Sequence, residues 1–287
     1  MKHEVRETKM PTYYGFVEEF DHLKVRLEDI KLATNNISDD NLIGLGEFGM
    51  LYEGELYLPG GQRVVCFKRL DRRLGQGNVE FFNEISVLSL YKHENLVSLL
   101  KICNEGDELI LVYDYEARGS LDRYLSEPGL TWARRLKICV GVTHAINYLH
   151  DPGDTRQRVL HGDIKSSNII LNEDWTAKVY GLSLSKKFGT LAYYDPQYIE
   201  MGILSKESDV YSFGVVLFEL ICCEEKRLDE IIFSDLKEQM DSCSLNTFSS
   251  LAYRCLKKDR EERPSMVEVM KQLEIAVEQQ VSFLSLF

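Results

Sequence analysis

The sequence predicts an α+β chain in which a small strand-rich part precedes a larger, mainly helical part. Three observations carry that expectation. Between residues 40 and 115 the apolar residues fall in short runs, LYEGELY, QRVVCFKRL and ELILVYDY, broken by Gly60–Gly61 and by Asn104-Glu-Gly-Asp107. Past Gly119 they recur at helical spacing, as in TWARRLKICVGVTHAINYLH (131–150) and SDVYSFGVVLFELICC (208–223). The chain has 287 residues, 44% hydrophobic and 28% charged, enough to bury a core and ordinary for a soluble globular protein.

Taken in order, residues 1–26 are polar, mixed in charge and without a firm period, and are expected as a flexible leader. LEDIKLAT (27–34) is a short helical pattern stopped by Asn35–Asn36. One further helix, VEFFNEISVLSLY (79–91), interrupts the strands of the small lobe, set at 27–116. The large lobe, 117–287, ends in PSMVEVMKQLEIAVEQQV (264–281), amphipathic and expected to open on Pro264 in its first turn. The sequence contains no internal repeat and no low-complexity tract.

Charge and cysteine content exclude several function classes. A net charge of −12 argues against nucleic acid and against an anionic membrane surface as partners. The seven cysteines form no CxxC pair and no Cys/His set at zinc spacing, so free thiols in a reducing compartment are expected. His93 and His150 are read as packing or helix-end residues. MKHEVRETKM lacks the apolar stretch of a signal peptide, and the longest apolar runs are too short to span a bilayer, so the expected location is cytoplasmic.

GLGEFGMLYEG (44–54) places Gly44, Gly46 and Gly49 in a G-x-G-x-x-G pattern. That pattern alone is weak, since any tight glycine turn can produce it. Strand patterns lie on both sides and no helix starts at Gly49, which rejects a dinucleotide-binding turn. Lys68 follows in VVCFKRL, and Glu84, 16 residues later on the helical segment, is a sensible partner for a lysine that faces phosphates.

His161-Gly-Asp-Ile-Lys-Ser-Ser-Asn168 then gives the clearest signal. Together with LEDIKLATNNIS, HENLVSLL, SDVYSFGVVLFE and ERPSM, it makes the chain resemble the eukaryotic protein kinases, in particular the plant receptor-like kinase and pelle branch. The resemblance runs from about residue 27 to 281. It implies a bilobal fold, a β-rich N-lobe with one main helix and a larger helical C-lobe.

It also implies roles. Asp163 resembles the catalytic-loop carboxylate that orients the substrate hydroxyl, and Lys165 the lysine that offsets charge on the transferred phosphoryl. Asn168 matches one metal ligand. Tyr113 falls at the gatekeeper position, Asp114 and Glu116 at the hinge, and Leu51, Cys66 and Ile170 around the adenine of ATP. Asp209 resembles the buried carboxylate that holds the catalytic loop. Implied partners are other receptor or cytoplasmic kinases and signalling proteins, at the inner face of the plasma membrane or free in the cytoplasm.

The chain departs from that pattern where the chemistry is hardest. AKVYGLSLSKKFGT (177–190) aligns without a gap on K-I-S-D-F-G-L-S, so that Gly181, Leu182 and Ser183 stand for D-F-G. Glycine offers Mg²⁺ or Mn²⁺ no oxygen ligand. Gly162 replaces the catalytic-loop arginine, and the segment from Gly181 to Gln197 is short. Gln197 replaces an acid, so a buried ion pair to Arg263 is expected to weaken to a neutral hydrogen bond. The resemblance therefore implies a pseudokinase acting by protein–protein interaction, with a weakly active Ser/Thr kinase as the alternative.

Overall fold

A computed structural model of the chain describes residues 20–46, 48–71, 77–153, 156–182, 191–222 and 239–285. The chain divides into two compact units, Met1–Phe81 with Leu99–Tyr115, and Phe82–Ser98 with Glu116–Phe287. The leader up to residue 19, Glu47, Arg72–Arg73, Ser183–Thr190 and Cys223 lie outside the described residues.

The first unit is an antiparallel sheet in the order β1-β2-β3-β5-β4, from β1 (Leu42–Gly46), β2 (Gly49–Leu58), β3 (Gly61–Leu70), β4 (Leu99–Glu105) and β5 (Glu108–Asp114). Alternation decides which face is covered: Tyr52, Leu56 and Leu58 of β2 are buried, while Glu55 and Tyr57 between them are exposed. Helix α1 (Leu27–Ala33) closes that face through Ile30, which joins Tyr52, Leu56, Val65, Phe67 and Val112 in one core. Its carboxyl end comes so close that a Cβ at Gly54 would lie 2.2 Å from the Ala33 carbonyl oxygen. Asn35, Asn36 and Ile37 all take positive φ, of 48°, 61° and 56°, and stop the helix there. Residues 20–26, expected as leader, are tied to the sheet. Phe20 is buried, Lys24 forms a parallel bridge to Ile102, and the Val25 amide donates to the Ile102 carbonyl at 2.9 Å.

Helix α2 (Gly77–Leu88) contains the boundary between the units. The second unit is mainly helical: α3 (Trp132–His150), α4 (Pro196–Met201), α5 (Lys206–Glu219), α6 (Ser242–Cys255) and α7 (Met266–Leu284). Helix α3 buries Trp132, Leu136, Ile138, Cys139, Val142, Ile146 and Leu149, and it carries an arginine inside. The Arg135 guanidinium donates to the carbonyls of Leu130, Leu220 and Leu125 at 2.8, 2.9 and 2.9 Å, so the buried charge is well solvated by backbone. Trp132 stands edge-on to Phe248, and its indole N–H donates to Ser244 Oγ, which donates in turn to the Ala276 carbonyl. Helix α7 begins at Met266, two residues later than an opening on Pro264 would place it. Ser265 caps it, accepting from the Glu268 amide at 3.3 Å, and Pro264 precedes the cap.

A small sheet in the order β6-β7-β8 completes this unit, from β6 (Gly119–Ser120), β7 (Ile169–Leu171) and β8 (Ala177–Val179). Residues 95–97 run beside β8, with the Val179 amide donating to the Asn95 carbonyl at 2.8 Å. The motif 161–168 and the stretch around Gly181 are thus the two flanks of one hairpin.

Candidate active site

In the strand-rich unit the glycine turn joins β1 to β2, with Gly46 opposite Gly49 and Gly44 opposite Leu51. A Cβ at Gly49 would lie 2.0 Å from the Arg69 carbonyl oxygen, so that position accepts only glycine. Lys68 sits on β3 between Leu51 of β2 and Leu111 of β5, and its side chain is buried. Its Nζ stands 3.8 Å from Glu80 Oε1. Glu80 and Glu84 are one helical turn apart on α2 and both are buried.

Cys66 pairs across the strands with Glu53 and Tyr113. Burial pushes its thiol up to about 12, so it stays protonated and inert at neutral pH. Tyr113 is buried, and Asp114 accepts from Arg63. The Tyr115 phenol is raised by burial, then by the charge of Glu53. The described cysteines are free thiols.

In the helical unit the loop 161–168 is held from beneath by Asp209 near the start of α5. Its two oxygens accept from the His161 amide at 2.9 Å and the Gly162 amide at 2.8 Å, while His150 Nε2 bonds Oδ2 at 2.8 Å. Burial alone would raise this carboxyl. The His150 hydrogen bond and charge, the charge of His161 and the Gly162 amide outweigh burial and hold it below the ordinary carboxylate range. Gly162 adopts φ 77°, which glycine takes without strain. His161 is fully buried, accepts at Nδ1 from the Asp163 amide and bonds the Tyr180 carbonyl through Nε2 at 3.0 Å. That pattern requires a neutral ring with its proton on Nε2. Burial lowers the His161 pKa in the same sense.

Asp163, Lys165 and Asn168 come together. Lys165 Nζ is 2.8 Å from Asp163 Oδ2, and Asn168 Nδ2 donates both to that oxygen and to the Asp163 carbonyl at 2.8 Å. Gly181 faces the same amide. It takes φ 78°, and a Cβ built on it would lie 2.9 Å from Asn168 Nδ2. Leu182 beside it is buried. Glu116 Oε1 pairs with Lys178 Nζ at 2.8 Å, and Ile170 lies opposite Lys178 on β7 and β8.

Asp195 gives the one clear correction. The loss of an acid at Gln197 was expected to leave Arg263 with a neutral partner. Instead Arg263 Nη2 stands 2.7 Å from Asp195 Oδ1, with both side chains fully buried. Arg260 Nη2 is 2.6 Å from Asp195 Oδ2, and the Ser208 hydroxyl donates to the same oxygen at 2.8 Å. Burial would raise the carboxyl, and the bonds from Arg263, Arg260 and Ser208 reverse that and lower it. Gln197 gives only its backbone amide, to Asp195 Oδ1 at 3.0 Å.

Three participants escaped the sequence reading. Glu80 was detectable, since Glu80 and Glu84 at four-residue spacing share a helix face. His150 was read as packing, and only the fold brings it to Asp209. Asp195 lies 68 residues from Arg263, and no local pattern marks that pair.

Comparison with known proteins fits this geometry. Residues 37–273 match the protein tyrosine and serine/threonine kinase family model. Among similar proteins are three from Arabidopsis thaliana, each 37% identical over 88% of this chain. They are the receptor-like protein kinases ANXUR1, FERONIA and THESEUS 1, of which the alignments cover 34%, 32% and 33%. The chain spans about a third of the length of these relatives. Among the described residues no helix is long and apolar enough to cross a membrane. With a β-sheet lobe, a helical lobe and this match across most of its length, the chain belongs to the protein tyrosine and serine/threonine kinase family, with plant receptor-like kinases as its homologues.

Proposed function

We propose that the chain is a signalling module of receptor-like kinase type that has given up efficient phosphoryl transfer and works by docking on other proteins. Gly181 carries this reading. A magnesium-bound nucleotide needs an anionic oxygen ligand there, and the position has no side chain. Asn168, whose Nδ2 donates to Asp163 at 2.8 Å, can offer only its neutral Oδ1 and so does not replace the missing negative charge. The residues present do not fit a tightly held Mg²⁺ or Mn²⁺. Loss of one such electrostatic contact lowers transfer by roughly 10²-fold or more.

Nucleotide binding is a separate matter. The proposed ATP contacts in the strand-rich unit are Gly44, Gly46, Gly49, Leu51, Cys66, Lys68, Tyr113 and Asp114. Those in the helical unit are Glu116 and Ile170, with Glu84 as an orienting acid. The buried, acid-paired Lys68 supports retention of a phosphate-facing charge. The proposed partners are receptor or cytoplasmic kinases and signalling proteins, and the proposed location is the cytoplasm or the inner face of the plasma membrane.

The alternative is a weakly active Ser/Thr kinase, favoured by the preserved Asp163–Lys165–Asn168 set. Autophosphorylation in Mg²⁺ or Mn²⁺, against an Asp163→Asn control, separates the two readings. The expected result is no signal above the control. A signal that disappears in Asp163→Asn refutes the impaired-transfer reading. Thermal shift with ATP tests the pocket: a stabilisation equal with and without Mg²⁺ is expected, and no shift at all removes ATP as a ligand.

A further inference from the structure

The helical unit also holds three arginines that the candidate chemistry does not use. Arg118 precedes β6, Arg123 lies in the 3-10 turn Leu121–Tyr124, and Arg134 is in the first turn of α3. The Arg118 guanidinium carbon stands 4.2 Å from the centroid of the Trp175 ring, and that of Arg134 stands 4.7 Å from it. One indole therefore carries two cations. Trp175 is buried, held edge-on by Tyr124 at 5.2 Å, and takes φ 62°, rare for so large a residue. Arg123 lies over Gly119, where a Cβ would be 3.3 Å from its Nη1.

Their hydrogen bonds go to neutral groups. Arg118 Nε donates to the Glu173 carbonyl and Arg134 Nη1 to the Gly129 carbonyl. Asp122, Glu127, Glu173 and Asp174 are close in sequence and exposed. Yet among the described residues none of them forms an ion pair with Arg118, Arg123 or Arg134. The aromatic face attracts the planes of the guanidinium groups but does not satisfy their remaining N–H donors. In a chain of net charge −12, uncompensated guanidinium groups held at one aromatic residue form a local reversal of sign.

We propose that Arg118 and Arg134, stacked on Trp175, together with Arg123 over Gly119, bind a phosphoryl dianion borne on a serine, threonine or tyrosine of a partner protein. Planar guanidinium forks match the oxygens of a phosphoryl group two at a time, and stacking fixes their planes in advance. A phosphorylated chain segment fits better than a membrane. A bilayer would press many anions against the four exposed carboxylates and the net negative charge, whereas one phosphoryl group on a flexible segment avoids both. Free phosphate shares the same chemistry. The inference stands whether or not the chain transfers phosphate, since it uses no residue of the proposed catalytic set.

The test is calorimetric titration of the whole chain. The probes are an eight-residue Gly/Ala peptide carrying phosphoserine or phosphotyrosine, its unphosphorylated form, inorganic phosphate, and vesicles containing anionic phospholipid. The phosphopeptide is expected to bind at least about tenfold more tightly than its unphosphorylated form, and less tightly as salt rises. Arg118→Gln and Arg134→Gln are each expected to weaken it about tenfold, with lysine at either position costing less. Melting temperatures check that the variants fold. Arg123→Gln, which removes no hydrogen bond or ion pair to a described residue, gives a further variant if the stacked pair proves structural. Inorganic phosphate binding as tightly as the phosphopeptide supports the site and assigns it to the free anion. Equal affinity for both peptide forms, indifference to all three substitutions, or binding to vesicles alone overturns the proposal.

Discussion

Two places where this chain departs from the motif pattern it resembles have had opposite fates. At Gln197 an acid is missing, yet Arg263 keeps a fully buried carboxylate partner because Asp195, two residues earlier, supplies it. At Gly181 an acid is missing and none of the described residues is seen to replace it, the nearest side chain being the Asn168 amide. The difference lies in what each carboxylate must do. An ion pair needs an opposite charge within reach, and Arg263 is long enough to accept one from a neighbouring position. A metal ligand must place its oxygen at a fixed point, so a neighbour even one residue away does not serve. Architecture tolerates substitution by proximity, and chemistry does not.

The largest effect should come from breaking the compensated site. Arg263→Ala removes the fully buried one of the two arginines on Asp195, leaving Arg260, and should lower stability by about 3–5 kcal/mol. Denaturant unfolding measures this, with Gln197→Ala, expected within about 0.5 kcal/mol, as the contrast. A larger loss in Gln197→Ala than in Arg263→Ala would reverse the comparison.

Next comes the uncompensated site. Gly181→Asp puts a side chain at φ 78° and 2.9 Å from Asn168 Nδ2, so a cost of about 1–2 kcal/mol is expected. If Asn168 yields, metal-dependent autophosphorylation should rise above the level of the unsubstituted chain. A stable variant with no gain would mean that the missing ligand is not the main defect.

The smallest effect is on pH dependence. Asp195 and Asp209 titrate below their unfolded values, so their contribution is complete above about pH 3.9 and fades as pH falls through the folded values. His161 also titrates low, and the unfolded state therefore takes up its proton first, from about pH 6.5 downward. Stability followed by urea midpoint should decline on acidification below about pH 6.5 and again below about pH 4. Asp195→Asn should flatten only the second decline.

Much of the fold could be read locally. The alternation in LYEGELY and the all-apolar ILVY of β5 identify the sheet, and Asn35–Asn36 do stop α1 where the spacing said they would. The loop 161–168 was legible because its residues are consecutive. What escaped depends on distance along the chain. Arg135 looks like a surface residue until the fold turns the Leu220 carbonyl, 85 positions away, towards it. The Asp195–Arg263 pair is invisible for the same reason, since ion pairing leaves no period in the sequence. Glu80 is the exception, a local signal on the same helix face as Glu84 that passed unread.

The attachment of residues 20–26 has a further consequence, for self-association. In the order β1-β2-β3-β5-β4 the outermost strand on one side is β4, and its Ile102 carbonyl would face solvent if Val25 did not donate to it. Lys101 Nζ reaches the His22 carbonyl and the Leu27 amide reaches Glu105, so the segment is fastened at several points along the strand. An open edge of this kind templates strands from other copies. The few residues ahead of α1 therefore act as a guard rail, and a chain shortened to begin at Leu27 would be the form most prone to pair edge to edge.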